Sequence, residues 1–359
     1  MLKIEKESLL LKPSDFKPAN KRFEIIGVFN PASLRLKNGK IVLYVRVAEK
    51  LINWKKGNYV YSPRCVSNGK YKIKLDKFKK SKIESSSRGG FRFKDGTLRL
   101  KFISHFRRVF LSKDGFSVES IEQKPCFYGT KNDGELGVED PRITKIENKY
   151  IMTYVSLSRF DNISSSYALS KDGLHWHRRG IIFRHQNKDV VLFPEKINKR
   201  YVAFNRPEGN FNFSSPHMCI SYSKDLEHWG DDRSILLSKE CWDASRVGAG
   251  CPPIKTKKGW LEIYHGVHPK CGYCMGAALF DKKNPHKLIA RGPCNEPLLC
   301  ARNNYEKKGW MPNVIFPTGI VEENNKILLY LGGADKVVAV KEIKINEILK
   351  LLNKRCLIK

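Results

Sequence analysis

Short apolar runs separated by polar turns recur along the chain, and the runs are rich in β-branched and aromatic residues. Ile41-Val-Leu-Tyr-Val-Arg-Val47, Tyr150-Ile-Met-Thr-Tyr-Val155, Tyr201-Val-Ala-Phe204, Trp260-Leu-Glu-Ile-Tyr264 and Ile327-Leu-Leu-Tyr-Leu331 are such runs. Each follows a tight turn: Asn38-Gly39-Lys40, Glu147-Asn148-Lys149, Asn198-Lys199-Arg200, Thr256-Lys-Lys-Gly259 and Glu323-Asn-Asn-Lys326. Apolar strands flanking polar turns predict hairpins, here five. A second motif falls between them. Leu111-Ser-Lys-Asp-Gly-Phe-Ser-Val118 recurs as Leu169-Ser-Lys-Asp-Gly-Leu-His-Trp176 and as Tyr222-Ser-Lys-Asp-Leu-Glu-His-Trp229, with a weaker relative at Leu279-Phe-Asp-Lys-Lys-Asn-Pro285. Helical periodicity is nearly absent before Ile345-Asn-Glu-Ile-Leu-Lys-Leu-Leu352.

Repeated strand-rich units of roughly 50–67 residues fit the blades of a β-propeller, whereas a sandwich would supply strands without the period. The expectation is therefore all-β: a five-bladed β-propeller with a short C-terminal helix. It is read as one domain over residues 1–359, with the propeller at about 20–340 and a helical tail at 341–359. The first two turns lie farther apart than the rest, which leaves room for an irregular blade near 50–100.

The 359 residues carry 67 Lys and Arg against 36 Asp and Glu, a formal net charge of +31. Such an excess suits nucleic acid, an anionic surface or a phosphorylated substrate. The charge is spread along the chain, and its densest run, Lys77-Phe-Lys-Lys-Ser-Lys82, is short. It is therefore read as a solvated lysine-rich surface rather than a nucleic-acid footprint. No apolar run approaches the ~18 residues of a membrane span. The opening residues hold only three consecutive apolar positions behind acids, unlike a signal peptide. A soluble cytoplasmic protein is expected, with self-association left open.

Ten cysteines are scattered, and only Cys271-Gly-Tyr-Cys274 is closely paired. Zinc needs a second suitably spaced pair, and Cys294 and Cys300 are six apart in a Pro-rich loop. Reduced thiols and no metal are expected.

Antiparallel pairing places the start of a hairpin's first strand beside the end of its second. The first strands carry Asn30-Pro31, Glu139-Asp140-Pro141-Arg142, Lys188-Asp189, Arg246-Val-Gly-Ala-Gly-Cys-Pro-Pro253 and Pro312-Asn313 upstream of the turns. The second strands end at Arg46, Asn205-Arg206-Pro207, Tyr264-His265-Gly266 and Gly333-Ala-Asp335. Carboxylates and cations would converge at one end of the central tunnel. They differ from repeat to repeat, which favours a site over a purely structural repeat. Trp176, Trp229 and Trp260 are expected to pack between blades, and His175 and His228 to be exposed in turns.

Five segments carry a resemblance. Gly137-Val-Glu-Asp-Pro-Arg-Ile143, Val191-Leu-Phe-Pro-Glu-Lys-Ile197, Arg246-Val-Gly-Ala-Gly-Cys-Pro-Pro-Ile254 with Gly259-Trp-Leu-Glu-Ile-Tyr-His-Gly-Val267, Pro312-Asn-Val-Ile-Phe-Pro-Thr-Gly319 and Tyr330-Leu-Gly-Gly-Ala-Asp335 follow one another in the chain. In that order they resemble the motif series of glycoside hydrolase family 130, which contains β-mannoside phosphorylases and some β-mannosidases. The resemblance implies a five-bladed propeller and inverting phosphorolysis of β-mannosides to mannose 1-phosphate. It implies Asp140 as general acid, acting through the mannose 3-hydroxyl. Phosphate would be held by Lys188, Arg206 and Arg246, with His265 at a strand end as a further donor. Asn30, Arg46, Glu139, Arg142, Tyr264 and Asp335 are the substrate-side candidates; for Arg142, binding sugar and fixing the acid both stay open. No cofactor is implied beyond phosphate as co-substrate, and the partners are a small carbohydrate and that phosphate. The chain departs from the family where Asn205 stands for a common His before Arg206-Pro207, and residues 50–85 match no motif. The alternatives are a β-mannosidase on the same scaffold, or a non-catalytic propeller that binds carbohydrate or polyanions.

Overall fold

The computed structural model describes residues 2–209, 213–236 and 241–353. The fold is all-β. Five antiparallel sheets follow one another along the chain. The first holds Phe23–Arg35, Ile41–Leu51, Phe102–Leu111 and Val118–Ile121. The second holds Gly137–Ile146, Lys149–Ser158, Asn162–Ser170 and His177–Phe183. The third holds Asn187–Leu192, Tyr201–Pro207, Met218–Ser223 and Trp229–Leu236. The fourth holds Val247–Ala249, Trp260–His268, Gly272–Phe280 and Leu288–Arg291. The fifth joins Ile315–Glu323, Lys326–Gly333 and Val337–Lys344 to the N-terminal strand Lys6–Leu11. All five expected hairpins are present, as the first two strands of each sheet.

Each sheet is a separate ladder, and none closes on itself into a barrel. What joins them is apolar packing. One core lies between the first and second sheets, around Tyr44, Phe106 and Met152. Others lie between the second and third, the third and fourth, the fourth and fifth, and the fifth and first. A sheet covered on both faces needs apolar residues on both, which is why Ile41–Leu51 is an apolar run and not an alternation. Trp176 meets Tyr44 edge-on at 5.7 Å, Trp229 packs on Phe183 at 5.4 Å, and Trp260 packs on Phe193 at 5.1 Å, all across sheet boundaries as expected.

The Ser-Lys-Asp motif is the turn between the third and fourth strands. Asp172 Oδ1 accepts the backbone N–H groups of Leu174 and His175, and Asp225 does the same for Glu227 and His228. His175 and His228 are exposed there, each against its Asp. Tyr44 and Tyr330 donate to the carbonyls of Gly173 and Gly115 in the turn of the next sheet, at 2.7 and 3.2 Å.

Two expectations are adjusted. The last strand runs through Lys344, so the helix is only Ile345–Lys350, and residues 354–359 lie outside those described. Lys6–Leu11 completes the fifth sheet, so the repeat begins well before residue 20. Between the second and third strands of the first sheet, residues 55–100 form two small three-stranded sheets, which explains the long first interval. Among the described residues no helix is long and apolar enough to cross a membrane.

Candidate active site

Three sheets break register at the same place in their first hairpin. Pairing slips between Phe29 and Ala32, between Glu139 and Arg142, and between Lys188 and Val191. Within these breaks Asn30, Asp140 and Asp189 take φ of 47°, 48° and 54°. A bulge bends the strand and re-aims a side chain. The left-handed backbone disfavours most residues by about 1–3 kcal/mol, and Asn and Asp tolerate it best. The three repeats therefore present a polar group from one equivalent position.

Asp140 Oδ1 accepts from Asn30 Nδ2 at 3.0 Å and from Arg46 Nη1 at 2.9 Å. Arg46 also pairs with Glu139, donates from Nε to Ser104 at 3.2 Å, and lies over the Phe29 ring. Arg142 donates to the Asp140 carbonyl at 2.9 Å and to Asp189 Oδ1 at 3.1 Å. Burial pushes the Asp140 carboxyl up, but Arg46 and Arg142, with the hydrogen bonds from Asn30 and Arg46, outweigh it. Asp140 thus lies below the ordinary carboxylate range. Burial dominates at Glu139 and raises it despite Arg46. Asp335, half-buried beside this group, is pushed up to about 6 by burial against the pull of Arg46, with Asp140 and Glu139 adding to the rise.

The second cluster surrounds Asp189. Arg206 Nη1 lies 2.8 Å from Asp189 Oδ2, and His265 Nε2 lies 3.3 Å from the same oxygen. Burial raises this carboxyl, and Arg206, His265 and Arg142 together hold it well below the usual range. The space is tight: a Cβ on Gly248 would meet Asp189 Oδ2 at 2.4 Å and His265 Nε2 at 2.7 Å. Lys188 stands opposite Arg206 in the ladder, and its charge is felt at Glu139. Arg246 donates to the Tyr273 hydroxyl at 3.0 Å and pairs with Glu208 Oε1 at 3.0 Å. Glu208 Oε2 lies 3.5 Å from Arg206 Nη2, so one carboxylate spans both arginines. Arg142, joining Asp140 to Asp189, connects the two clusters.

The structure thus gathers Asn30, Arg46, Glu139 and Asp140, with Asp335 beside them, and Lys188, Arg206 and Arg246 next to them. The geometry bears on three candidates, of which Arg142 had both its roles open. Arg142 is 2% exposed and also donates to the Gly250 carbonyl at 3.2 Å, so it fixes the acid rather than meeting sugar. His265 is fully buried, 3.1 Å from Arg206 Nη1 and packed at a tilt against Phe316, so it backs Arg206 instead of facing ligand. Burial lowers His265 and keeps it neutral, though Asp189 pulls the other way. Tyr264 points to the opposite side of its strand, 1% exposed and stacked on Trp242, with its hydroxyl taking a bond from Arg291 at 3.2 Å. Alternation along the strand explains this: if His265 faces one side, Tyr264 faces the other. Sequence reasoning missed the roles of Asp189, Glu208, Tyr273 and Ser104. Asp189 sat beside Lys188 in the same strand-end position as Asp140, and that equivalence was the available signal. Among the described residues no group of His, Cys, Asp and Glu could hold a metal ion.

Residues 99–354 match the family model described as beta-1,4-mannooligosaccharide phosphorylase. A beta-1,2-mannobiose phosphorylase of Listeria innocua is 35% identical over 96% of this chain and 97% of its own. A 1,2-beta-oligomannan phosphorylase of a Thermoanaerobacter species is 39% identical over 69% of this chain and 81% of its own. The solved structure of the Listeria innocua beta-1,2-mannobiose phosphorylase with beta-1,2-mannobiose superposes with a TM-score of 0.86, at 34% identity, covering 95% of this chain and 96% of that one. A match over most of the chain, together with a relative that aligns along nearly all of it, shows that the chain belongs to glycoside hydrolase family 130.

Proposed function

We propose that this protein is an inverting β-mannoside phosphorylase, a single catalytic domain built as a five-bladed β-propeller with the site on its axis. The ring of five inter-sheet cores supports the propeller reading. The observation that carries the function is one acidic group beside one cationic group, tied by Arg142. Asp140 supplies the proton to the departing oxygen, directly or through a mannose hydroxyl. Arg206, Arg246 and Lys188 hold phosphate for attack from the other face. Phosphate is already a nucleophile, so no enzymic base is needed, and charge-assisted bonds position the dianion. Asp140 is ionised in the free protein. Phosphate brings negative charge into the same pocket and pushes that carboxyl up toward protonation. Asn30, Arg46 and Glu139 set the acid's geometry, and Asp335 and Glu139 face the sugar hydroxyls. His265 supports Arg206 and Asp189 from beneath.

The full-length relative named for β-1,2-mannobiose makes that disaccharide the substrate to test first. No cofactor is required. Glu208 favours one second reading, hydrolysis, because a carboxylate between two arginines could instead hold water. Product analysis separates them. Phosphorolysis requires mannose 1-phosphate and a rate that follows phosphate concentration. Free mannose released at a phosphate-independent rate would replace this reading with hydrolysis.

A further inference from the structure

The Cys271-Gly-Tyr-Cys274 pair gains a third cysteine in the folded chain. Met275, in the strand Gly272–Phe280, pairs antiparallel with Leu299. Both hydrogen bonds of that pair are made: Met275 N–H to the Leu299 carbonyl at 2.8 Å, and Leu299 N–H to the Met275 carbonyl at 3.3 Å. Antiparallel pairing then puts Cys274 directly opposite Cys300, one residue on, at a position that exchanges no hydrogen bonds. At such positions Cα atoms approach to roughly 4.5 Å and side chains are closest. That separation falls within the roughly 4.4–6.8 Å spanned by disulfides. The side chains follow the backbone: Cys274 Sγ and Cys300 Sγ are 2.6 Å apart. The Cys271 thiol also interacts with Cys300, but Cys271 lies outside the Met275–Leu299 register, and Cys274 is the residue directly opposite Cys300.

We propose that Cys274 and Cys300 are a cross-strand oxidation site that closes into a disulfide when the protein meets a small-molecule disulfide. The Cys300 thiolate attacks that reagent, forms a mixed disulfide and releases one thiolate. Cys274 sulfur then attacks the Cys300 sulfur and displaces the second, and its proton leaves with the departing thiolate. Two protein thiols lose two electrons, and one disulfide becomes two thiols. Cys300 is the entry point because it is partly exposed, whereas Cys274 is buried. The hydrogen bond from Cys274 lowers the Cys300 thiol, against burial, and raises the Cys274 thiol. Thiolate character favours the first attack at Cys300. The inference rests on strand register and is independent of the proposed activity.

The test is incubation of the native, reduced protein with oxidised glutathione, then denaturation, alkylation of free thiols and peptide mass mapping. Wild type and Cys271→Ser should each lose two alkylatable thiols and yield a peptide pair joined between Cys274 and Cys300. Cys300→Ser should yield no such pair. The wild-type map decides the question even if a variant folds poorly. A persistent glutathione adduct on Cys300 with Cys274 still free would overturn the proposal. So would a Cys271–Cys300 link, or both thiols remaining alkylatable.

Discussion

Replacing Arg246 with Gln tests phosphate binding more cleanly than replacing Arg206. Arg206 is 4% exposed and neutralises the buried Asp189 at 2.8 Å. Removing one partner of a buried ion pair costs about 3–5 kcal/mol, so Arg206→Gln would confound binding with stability. Arg246 has a side chain 36% exposed, and its partner Glu208 keeps Arg206 as a second cation. Its loss therefore leaves no buried charge alone, and the melting temperature should barely change. A hydrogen bond to a charged group contributes about 1.5–3 kcal/mol. At 1.36 kcal/mol per tenfold, losing one such bond to phosphate raises the phosphate KM by roughly 10–150-fold. The assay is initial rate against phosphate at saturating β-1,2-mannobiose, with mannose 1-phosphate as the product measured. The mannobiose KM, taken at saturating phosphate, should stay within about threefold, since Arg246 contacts Glu208 and Tyr273 rather than the group around Asp140; that bound is well under one such bond. An unchanged phosphate KM in Arg246→Gln would refute its assignment as a phosphate ligand.

Asp140→Asn keeps the shape and removes the proton, so turnover should fall by about 10²–10⁴-fold with the circular dichroism spectrum unchanged; near-normal turnover would remove Asp140 from the centre of the mechanism. Asp335 should make stability fall as pH rises. Its folded carboxyl is raised to about 6 from 3.8, so the native state holds its proton longer than the unfolded chain, and stability is lost between those values. The full effect is about 3 kcal/mol, so urea unfolding of Asp335→Asn should gain over wild type at pH 7 and not at pH 3.5; an equal difference at both pH values would contradict the shift. Gly248→Ala should lower the melting temperature and turnover together, because the new methyl meets Asp189 and His265; a fully active, equally stable variant would show that this contact is loose. Extensive chelation with EDTA should leave activity intact, and reversible loss restored by a divalent cation would show a metal requirement.

The fold was legible because its repeat is written in two independent signals. Turn residues at Asn38-Gly39, Asn198-Lys199 and Asn324-Asn325 mark where chains reverse, and the Ser-Lys-Asp turns mark the outer strands. The closing strand was not legible. Lys6-Glu-Ser-Leu-Leu-Leu11 pairs with a strand more than 300 residues away, and no local pattern records such a partner. The same holds for residues 55–100, where the strands Tyr59–Cys65 and Ile73–Lys79 alternate weakly because both their faces pack, Val60 and Phe78 against Phe91 and Phe93, and Tyr61, Cys65, Ile73 and Leu75 against Phe23 and Leu51.

For the site, equivalence between repeats carried further than residue type. Asn30, Asp140 and Asp189 share one backbone device, a bulge with positive φ, although the residues before them are Phe29, Glu139 and Lys188 and only the first two are followed by Pro. Position in the repeat therefore identifies a group that enters the polar cluster. It does not say whether the group meets a ligand or another side chain. Lys188 and Asp189 illustrate this: adjacent residues, one beside the acidic cluster and one buried under Arg206. The distinction depends on charge balance in three dimensions. The buried Asp189 carboxylate stays ionised because Arg206, His265 and Arg142 lie against it, and Arg142 also donates to the backbone carbonyls of Asp140 and Gly250. A guanidinium that is 2% exposed and held by these partners is committed to the framework more than to sugar. That leaves Arg246 more exposed than Arg206 in the proposed phosphate set.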